Sequence, residues 1–200
     1  MYAHVKRVLD FALALLALVA LSPLMLAIAA AVALTSRGPV LFRQKRVGRG
    51  KKLFTIYKFR TMRADAPDDR PTHMLEHASE YITPVGRVLR ASSLDELPQL
   101  FNILKGEMSV VGPRPALWNQ DDLVAARDAV GANDVRPGLT GWAQINGRDE
   151  LPIPEKARLD GEYVQRMSFG FDLWCVLGTV LKVARADGVV EGSQEADGRD

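Results

Sequence analysis

The feature that most restricts the fold of this chain is an uncharged run of 24 residues, Phe11 to Leu34, interrupted at its centre by Ser22 and Pro23. As a straight helix the run would extend about 36 Å, which exceeds the roughly 30 Å of hydrocarbon in a bilayer. Pro23 has no N–H to donate, and its ring clashes with the carbonyl oxygen of Val19. The Ser22 hydroxyl is a local donor for that carbonyl. We therefore predict a membrane helix with a break at mid-depth, where Ser22 satisfies the carbonyl that Pro23 leaves free.

Basic residues flank the run on both sides: Lys6 and Arg7 before it, and Arg37, Arg43, Lys45 and Arg46 after it. Positively charged flanks stay on the cytoplasmic side of a membrane, so a single crossing would place one flank on the wrong side. A segment that enters, bends at Ser22–Pro23 and returns fits the charges better; a kinked span is the alternative. A signal peptide is disfavoured, since its apolar region is usually about 7–15 residues long and is followed by a cleavage site.

The charge of the chain is unevenly distributed. Residues 1–63 contain 12 Lys and Arg against 1 acid, a net charge of +11, whereas residues 64–200 contain 14 against 23, a net charge of −9. A basic segment beside an apolar run favours anionic membrane lipids or a phosphate-rich ligand as partners. Nucleic acid is not expected, because no aromatic stacking module accompanies the charge. The single cysteine, Cys175, excludes a disulfide within the chain.

Residues 39–62 have the pattern of a small β-hairpin, two strand-like pieces around a Gly-Arg-Gly turn. Further on, apolar residues at helical spacing predict a helix that ends at Gly106. Its apolar face consists of Leu97, Leu100, Phe101 and Leu104. Segments rich in Gly and Pro, 110–115 and 135–148, are expected to be loops. A last amphipathic helix, 171–185, carries the stripe Trp174, Leu177 and Leu181, which is either core or membrane interface.

Two adjacent carboxylates, Asp95 and Glu96, stand at the start of the first of these helices. Either Ser93 caps the helix and pairs with Glu96 in a capping box, or Asp95 is the cap, which places Pro98 where no backbone hydrogen bond is lost. Both placements put the carboxylates beside free N–H groups, where phosphate also binds. Capping alone is a common reason for acids at such positions.

Several cations accompany this acidic pair on turn-like segments: Lys58, Arg60, Arg87, Arg90, Arg114, Arg136 and Arg148. Each alone is typical of a solvated surface. Together around two carboxylates they favour a diphosphate substrate with a divalent ion, and a carboxylate can itself attack phosphorus to give an acyl-phosphate. No Walker A, H-E-x-x-H or G-x-S-x-G pattern is present.

Over residues 6–192 the chain resembles the small monotopic phosphoglycosyl transferases, bacterial sugar transferases that place a phosphosugar on a polyprenol phosphate carrier. The resemblance rests on the motifs KRVLD, the Ser-Pro break, YKFRTM, SSLDELPQLFNILKGEMSVVGPRP and VRPGLTGWAQINGR, in this order. The long central motif is highly specific. The resemblance implies a minimal catalytic form at the cytoplasmic face of the bacterial inner membrane.

The resemblance also implies a reaction and its residues. Asp95 matches a nucleophile that attacks the β-phosphate of a UDP-sugar, releases UMP and holds the phosphosugar until polyprenol phosphate accepts it. Glu96 matches the second acid, with Mg²⁺ held by Asp95, Glu96 or both. The other positions matched or expected at the substrate are Lys58, Arg60, Arg90, Arg114, Arg136, Arg148 and Asp160. Glycosyltransferases acting downstream would be further partners.

The predicted fold is α+β: a re-entrant helix-break-helix anchor (1–36), a catalytic domain at the membrane interface (37–192) with a small β-hairpin and several amphipathic helices, and a disordered tail (193–200). A second hypothesis, from a different functional class, is a non-catalytic module that binds anionic lipid through its basic arm. That hypothesis explains the first 63 residues but gives Asp95 and Glu96 no purpose.

Overall fold

The computed structural model describes residues 2–67, 78–147 and 151–185. Helices in these ranges are α1 (Tyr2–Thr35), α2 (Ala78–Tyr81), α3 (Pro84–Ala91), α4 (Leu100–Lys105), α5 (Asp121–Asp128), α6 (Trp142–Ile145), α7 (Ile153–Arg166) and α8 (Phe169–Arg185). Strands are β1 (Leu41–Val47), β2 (Leu53–Phe59), β3 (Ser109–Val111) and β4 (Gly138–Thr140). The α+β class is therefore confirmed. The predicted domain bounds stay predictions, and the tail 193–200 lies outside the described residues.

Helix α1 continues through the predicted break. Pro23 lies inside a 34-residue helix, and the Ser22 hydroxyl donates to the Val19 carbonyl oxygen at 2.8 Å. The carbonyl that Pro23 deprives of its usual partner is thus satisfied locally, as the sequence predicted. The weak point is one lost backbone hydrogen bond within a helix and not an interruption of the helix.

The two halves of α1 pack on neighbouring parts of the domain. Ala14 lies in a core cluster with Leu100, and Ile28 lies in a second cluster against which Leu97 packs. In a straight helix the Cα atoms of Ala14 and Ile28 would be about 21 Å apart. The two clusters include Leu100 and Leu97, which are three residues apart along the chain. Both halves of α1 therefore pack on the domain.

The middle of α1 contacts little of the protein. Leu16 and Val19 are each 67% exposed, and Leu24 is also exposed. Helix α1 is long and apolar enough to cross a membrane, and only 11% of its most apolar window is buried. The core helix of a soluble protein would be mostly buried, so this exposure indicates association with a membrane.

Strands β1 and β2 form the predicted antiparallel hairpin, with Leu41 opposite Phe59 and Val47 opposite Leu53. The turn between them includes Gly50 with φ of +63°, a conformation that glycine adopts without strain. The register places Lys58 near the open end of the hairpin, opposite Phe42. The hairpin thus carries one cation of the predicted site on a regular strand.

Two segments that we expected to be loops contain a second, parallel pair of strands, β3 and β4, so that expectation was wrong. Glycines cause the difference, because they let two backbones approach. A Cβ on Gly138 would lie 2.1 Å from the amide nitrogen of Gly112. The density of Gly and Pro here reflects close packing of backbone and not only turns.

The amphipathic face predicted around Leu100 is partly wrong. Leu100 and Ile103 are buried, but Phe101 is 42% exposed. The segment is a 3₁₀ helix over Leu94–Gln99 that becomes α-helical only at Leu100, so a single 3.6-residue period does not describe it. Gly106 ends α4 with φ of +83°, as predicted.

The apolar stripe of α8 is not core. Trp174, Leu177 and Leu181 are 62%, 53% and 58% exposed, whereas Phe171 and Cys175 on the opposite face are buried. Of the two alternatives for this stripe, core is therefore wrong, and the membrane interface stays a prediction.

Candidate active site

Asp95 and Glu96 lie in the 3₁₀ helix Leu94–Gln99 and are both buried. Neither proposed cap forms. Ser93 stands at the cap position, but its backbone is left-handed (φ 55°) and its side chain makes no capping hydrogen bond. A capping side chain requires an extended backbone, which Ser93 does not have. Both capping placements were therefore wrong, and the two acids are available for another role.

The carboxylate of Glu96 is held by two cations. Lys58 Nζ lies 2.7 Å and an Arg114 terminal nitrogen 3.2 Å from the same oxygen, Oε1. Both cationic side chains are mostly buried, so solvent screens these contacts weakly. Glu96 is thereby fixed in orientation, and it in turn fixes the two cations beside Asp95.

Asp95 differs from Glu96 in the contacts of its carboxylate. Among the described residues none donates a hydrogen bond or forms an ion pair to its carboxylate. Burial raises the pKa of Asp95, and the Glu96 charge raises it further, while Lys58, Arg90 and Arg114 act in the opposite direction. A carboxylate with a raised pKa and unbonded oxygens is a better nucleophile than one held in an ion pair.

Lys58 is the cation most affected by burial. Loss of solvent lowers the pKa of its ammonium group, an effect that the Glu96 charge partly offsets and the Arg114 charge strengthens. A further anion at this site would favour the charged form of Lys58. The group is thus suited to contact a phosphate that approaches Asp95.

Arg90 reaches the site from the last turn of α3, and its terminal nitrogen lies 3.5 Å from the Thr61 hydroxyl. Helix α3 is positioned by an unusually close backbone contact. A Cβ on Gly86 would lie 1.9 Å from the Thr61 carbonyl oxygen, so only glycine fits there. Thr61 and Gly86 therefore set the position of Arg90.

Arg114 lies on the loop after β3, and β1 holds that loop. Val47 donates its N–H to the Ala116 carbonyl oxygen at 2.9 Å, and Arg46 donates to the Pro115 carbonyl oxygen at 3.0 Å. Sequence reasoning counted Arg46 only as one of many flanking cations. The one sequence signal for the contact of Arg46 with this loop was its position in a strand-like segment, from which a side chain can reach a neighbouring loop.

Two residues predicted at the substrate have their observed partners elsewhere. The Arg60 guanidinium donates to the Ser36 and Pro39 carbonyl oxygens at 2.7 and 2.5 Å, and so ties the end of α1 to β2. Asp160, on α7, forms a buried ion pair of 2.6 Å with Arg127 of α5. Both observed roles join elements of the fold.

The structure places one further predicted residue, Arg136, away from the acidic pair. Arg136 donates through Nε to the Gly106 carbonyl oxygen at 2.8 Å and lines a cavity near the start of α1. Arg148 lies outside the described residues. The residues brought together with Asp95 and Glu96 are thus Lys58, Arg90 and Arg114.

The residue types at the acidic pair fit a magnesium ion. Mg²⁺ is usually held by one or two carboxylates together with substrate phosphates, and Asp95 and Glu96 could supply such ligands. Within the described ranges, no group of three or more His, Cys, Asp or Glu side chains is placed to hold a metal. A metal here would therefore depend on the substrate for most of its ligands.

The sequence profile of the bacterial sugar transferases matches residues 1–186. The chain belongs to the bacterial sugar transferase family. As a bacterial sugar transferase it is an enzyme, and the hypothesis of a non-catalytic lipid-binding module loses its support.

Individual relatives agree with this family assignment. The transferase is 42% identical over 184 residues to an uncharacterized sugar transferase, EpsL, of Bacillus subtilis, covering 92% of this chain and 89% of the relative. It is 44% identical over 191 residues to a UDP-glucose:undecaprenyl-phosphate glucose-1-phosphate transferase of Caulobacter vibrioides, covering 91% and 70%. An undecaprenyl-phosphate glucose phosphotransferase of Komagataeibacter xylinus is 41% identical over 187 residues, which are 88% of this chain but 35% of that protein.

Proposed function

We propose that this transferase moves a phosphosugar from a UDP-sugar to a polyprenol phosphate such as undecaprenyl phosphate, releases UMP, and forms a covalent intermediate on Asp95. The observation that carries the proposal is the contrast within the acidic pair. Glu96 is fixed by Lys58 and Arg114, whereas the Asp95 carboxylate has no bonded partner among the described residues. The names of two relatives, which include undecaprenyl phosphate, support the acceptor.

In the first step an Asp95 carboxylate oxygen attacks the β-phosphorus of the UDP-sugar. A bond forms between that oxygen and phosphorus, and the bond from phosphorus to the bridging oxygen breaks, so that UMP leaves with the electron pair. Lys58, Arg90 and Arg114 offset the negative charge on the phosphates. The phosphosugar is then an acyl-phosphate of Asp95.

In the second step a phosphate oxygen of the polyprenol phosphate attacks the same phosphorus. The bond to Asp95 breaks, the carboxylate is regenerated, and the product is a polyprenol diphosphate sugar.

The direct test is UMP release from a panel of UDP-sugars, with undecaprenyl phosphate in detergent or in nanodiscs. UDP-glucose is the first donor to test, because glucose stands in the names of two relatives. We expect UMP release with at least one donor and formation of the corresponding lipid diphosphate sugar. A folded protein that releases no UMP from any UDP-sugar, with or without the lipid, would contradict the proposal.

We also propose Mg²⁺ as the cofactor, which Asp95, Glu96 or both would hold. When bound, the ion would offset charge as UMP leaves. Excess chelator is expected to abolish UMP release, and added Mg²⁺ to restore it. The control is Ca²⁺, whose larger radius and looser geometry should restore less activity. Full turnover in excess chelator would remove the metal from the mechanism.

We further propose that α1 is re-entrant and that the domain lies at the cytoplasmic face of the bacterial inner membrane. Support comes from the two halves of α1, which both pack on the domain and leave the middle of the helix exposed. The exposed stripe of α8 supplies a second apolar surface that would rest in the same interface. Both basic flanks then stay on one side.

Cysteine labelling tests this topology in the variants His4→Cys and Lys52→Cys, which alter exposed positions on either side of the run. A membrane-impermeant maleimide is expected to label both only from the cytoplasmic side. The native Cys175 serves as an internal control, because it is buried and burial raises the pKa of its thiol to about 11. Adding Ser22→Ala and Pro23→Leu should shift the segment towards full crossing. Periplasmic labelling of either end in the unaltered segment would favour the kinked span.

A further inference from the structure

A charged cavity, separate from the acidic pair, lies at the start of α1. It has a volume of about 110 Å³ and is bordered by the first turns of α1, the β1–β2 turn, the segment 134–136 and the end of α7. Its charged lining residues are Lys6, Arg7, Asp10, Arg49, Asp134 and Arg136. We call it the arginine cavity. Lys58, Arg90, Asp95, Glu96 and Arg114 do not line it.

The positive charge of the arginine cavity comes from its arginines, because Lys6 is already neutralised. Lys6 Nζ lies 2.6 Å from Asp172 and 3.6 Å from Asp10. Asp10 in turn accepts hydrogen bonds from the Ser109 hydroxyl and the Val110 N–H. These acids are therefore engaged inside the fold, and Asp10 offsets only part of the charge of the arginines.

Arg49 and Arg136 are each anchored by one atom only. Arg49 Nε donates to the Asp134 carbonyl oxygen at 2.9 Å, and Arg136 Nε donates to the Gly106 carbonyl oxygen at 2.8 Å. Their terminal nitrogens have no hydrogen-bond partner within the described part of the chain. A guanidinium held through Nε keeps a planar pair of donors, the geometry that binds a phosphate through two hydrogen bonds.

The arginines repel one another when no anion is bound. Partial burial lowers the pKa of Arg136, the charges of Arg7 and Arg49 lower it further, and the Asp10 charge acts in the opposite direction. Arg7 cannot turn away, because it donates to the carbonyl oxygens of Ile103 and Leu104 at 2.6 and 2.9 Å. An anion between these groups would remove the repulsion and gain several charge-assisted hydrogen bonds.

The position of the arginine cavity relative to the membrane indicates which kind of anion binds in it. It adjoins the residues that precede the apolar part of α1, so a membrane-inserted α1 would hold it at the level of the lipid headgroups. We propose that the arginine cavity binds the phosphate of an anionic phospholipid through the terminal N–H groups of Arg49 and Arg136. This inference rests on the proposed membrane position of α1 but not on the proposed chemistry at Asp95.

The test measures binding of dihexanoyl phosphatidylglycerol to the full chain in a neutral detergent, from the rise of the thermal unfolding midpoint with ligand concentration. Wild-type protein should show a saturable rise. Arg49→Gln and Arg136→Gln should each weaken the apparent affinity about tenfold or more, since each removes charge-assisted hydrogen bonds. Arg43→Gln is the matched control: it removes the same charge from an exposed position of the same hairpin and should bind as the wild type does.

Two outcomes would overturn the proposal. Undiminished binding by Arg49→Gln, an exposed position whose change should not disturb folding, would show that the cavity is not the site. Equally tight binding of glycerol 3-phosphate, competing with the lipid, would show a site for soluble phosphate and not for a lipid. UMP release is measured separately in phosphatidylcholine nanodiscs, so a failure of the catalytic proposal leaves this binding result interpretable.

Discussion

Replacing Asp95 by asparagine is expected to reduce UMP release by roughly 10³-fold or more, the scale seen when a nucleophile is removed. The amide has the shape of the carboxylate but cannot form the acyl-phosphate. Because no cap and no ion pair to Asp95 occurs among the described residues, the change should hardly alter the thermal unfolding midpoint. Steady-state UMP release and thermal unfolding, measured on the same preparation, check both parts.

The intermediate gives a second measurement of the same point. Wild-type enzyme incubated with a UDP-sugar and no lipid acceptor should release at most about one UMP per active site, apart from slow hydrolysis, and carry a phosphosugar on the peptide containing Asp95. Asp121→Asn, at an exposed acid of α5, is the matched control and should keep full turnover. Near-normal turnover in Asp95→Asn, or an adduct on another residue, would refute the assignment.

Asp160→Asn is expected to lower the free energy of unfolding by about 3–5 kcal/mol, because it leaves the Arg127 charge buried without its partner. The side chains of Asp160 and Arg127 are only 2% and 4% exposed. For a chain of this size such a loss lowers the thermal unfolding midpoint by roughly 6–20 °C. Thermal unfolding in detergent measures it.

The control for Asp160 lies on the same helix. Glu155 pairs with Arg158 at 2.7 Å, but both side chains are exposed, so Glu155→Gln should change the midpoint little. If Asp160 instead contacts the substrate, Asp160→Asn would keep its midpoint and raise the KM for the UDP-sugar. That result would return Asp160 to the substrate site and contradict the structural role.

The sequence predicted those parts of the fold in which local chemistry decides the outcome. The β-hairpin, the stop at Gly106 and the Ser22 hydroxyl on the Val19 carbonyl follow from turn, cap and proline chemistry within a few residues. The short strands β3 and β4 could not be predicted, because their pairing depends on Gly112 and Gly138 meeting across a long separation. Local signals carry no information on such contacts.

The same distinction holds at the acidic pair. Asp95, Glu96 and their neighbouring cations could be selected from residue types, and the structure brings Lys58, Arg90 and Arg114 together with them. Sequence reasoning could not foresee that the cap is replaced by a left-handed Ser93, which only the surrounding packing imposes. Sequence reasoning also missed the close contact between Thr61 and Gly86 that positions Arg90, because a contact between backbone atoms involves no charged side chain that the sequence would show.

The ion pair between Lys6 and Asp172 has a consequence for synthesis of the chain. The two residues are 166 positions apart, so at a translation rate of about 5–20 residues per second Lys6 waits roughly 8–33 s for its partner to be made. During that time the ammonium group is unpaired and stays in water or among lipid headgroups. The apolar helix is therefore synthesised well before this contact can form. The docked arrangement of its first turns becomes available only after most of the polypeptide has left the ribosome.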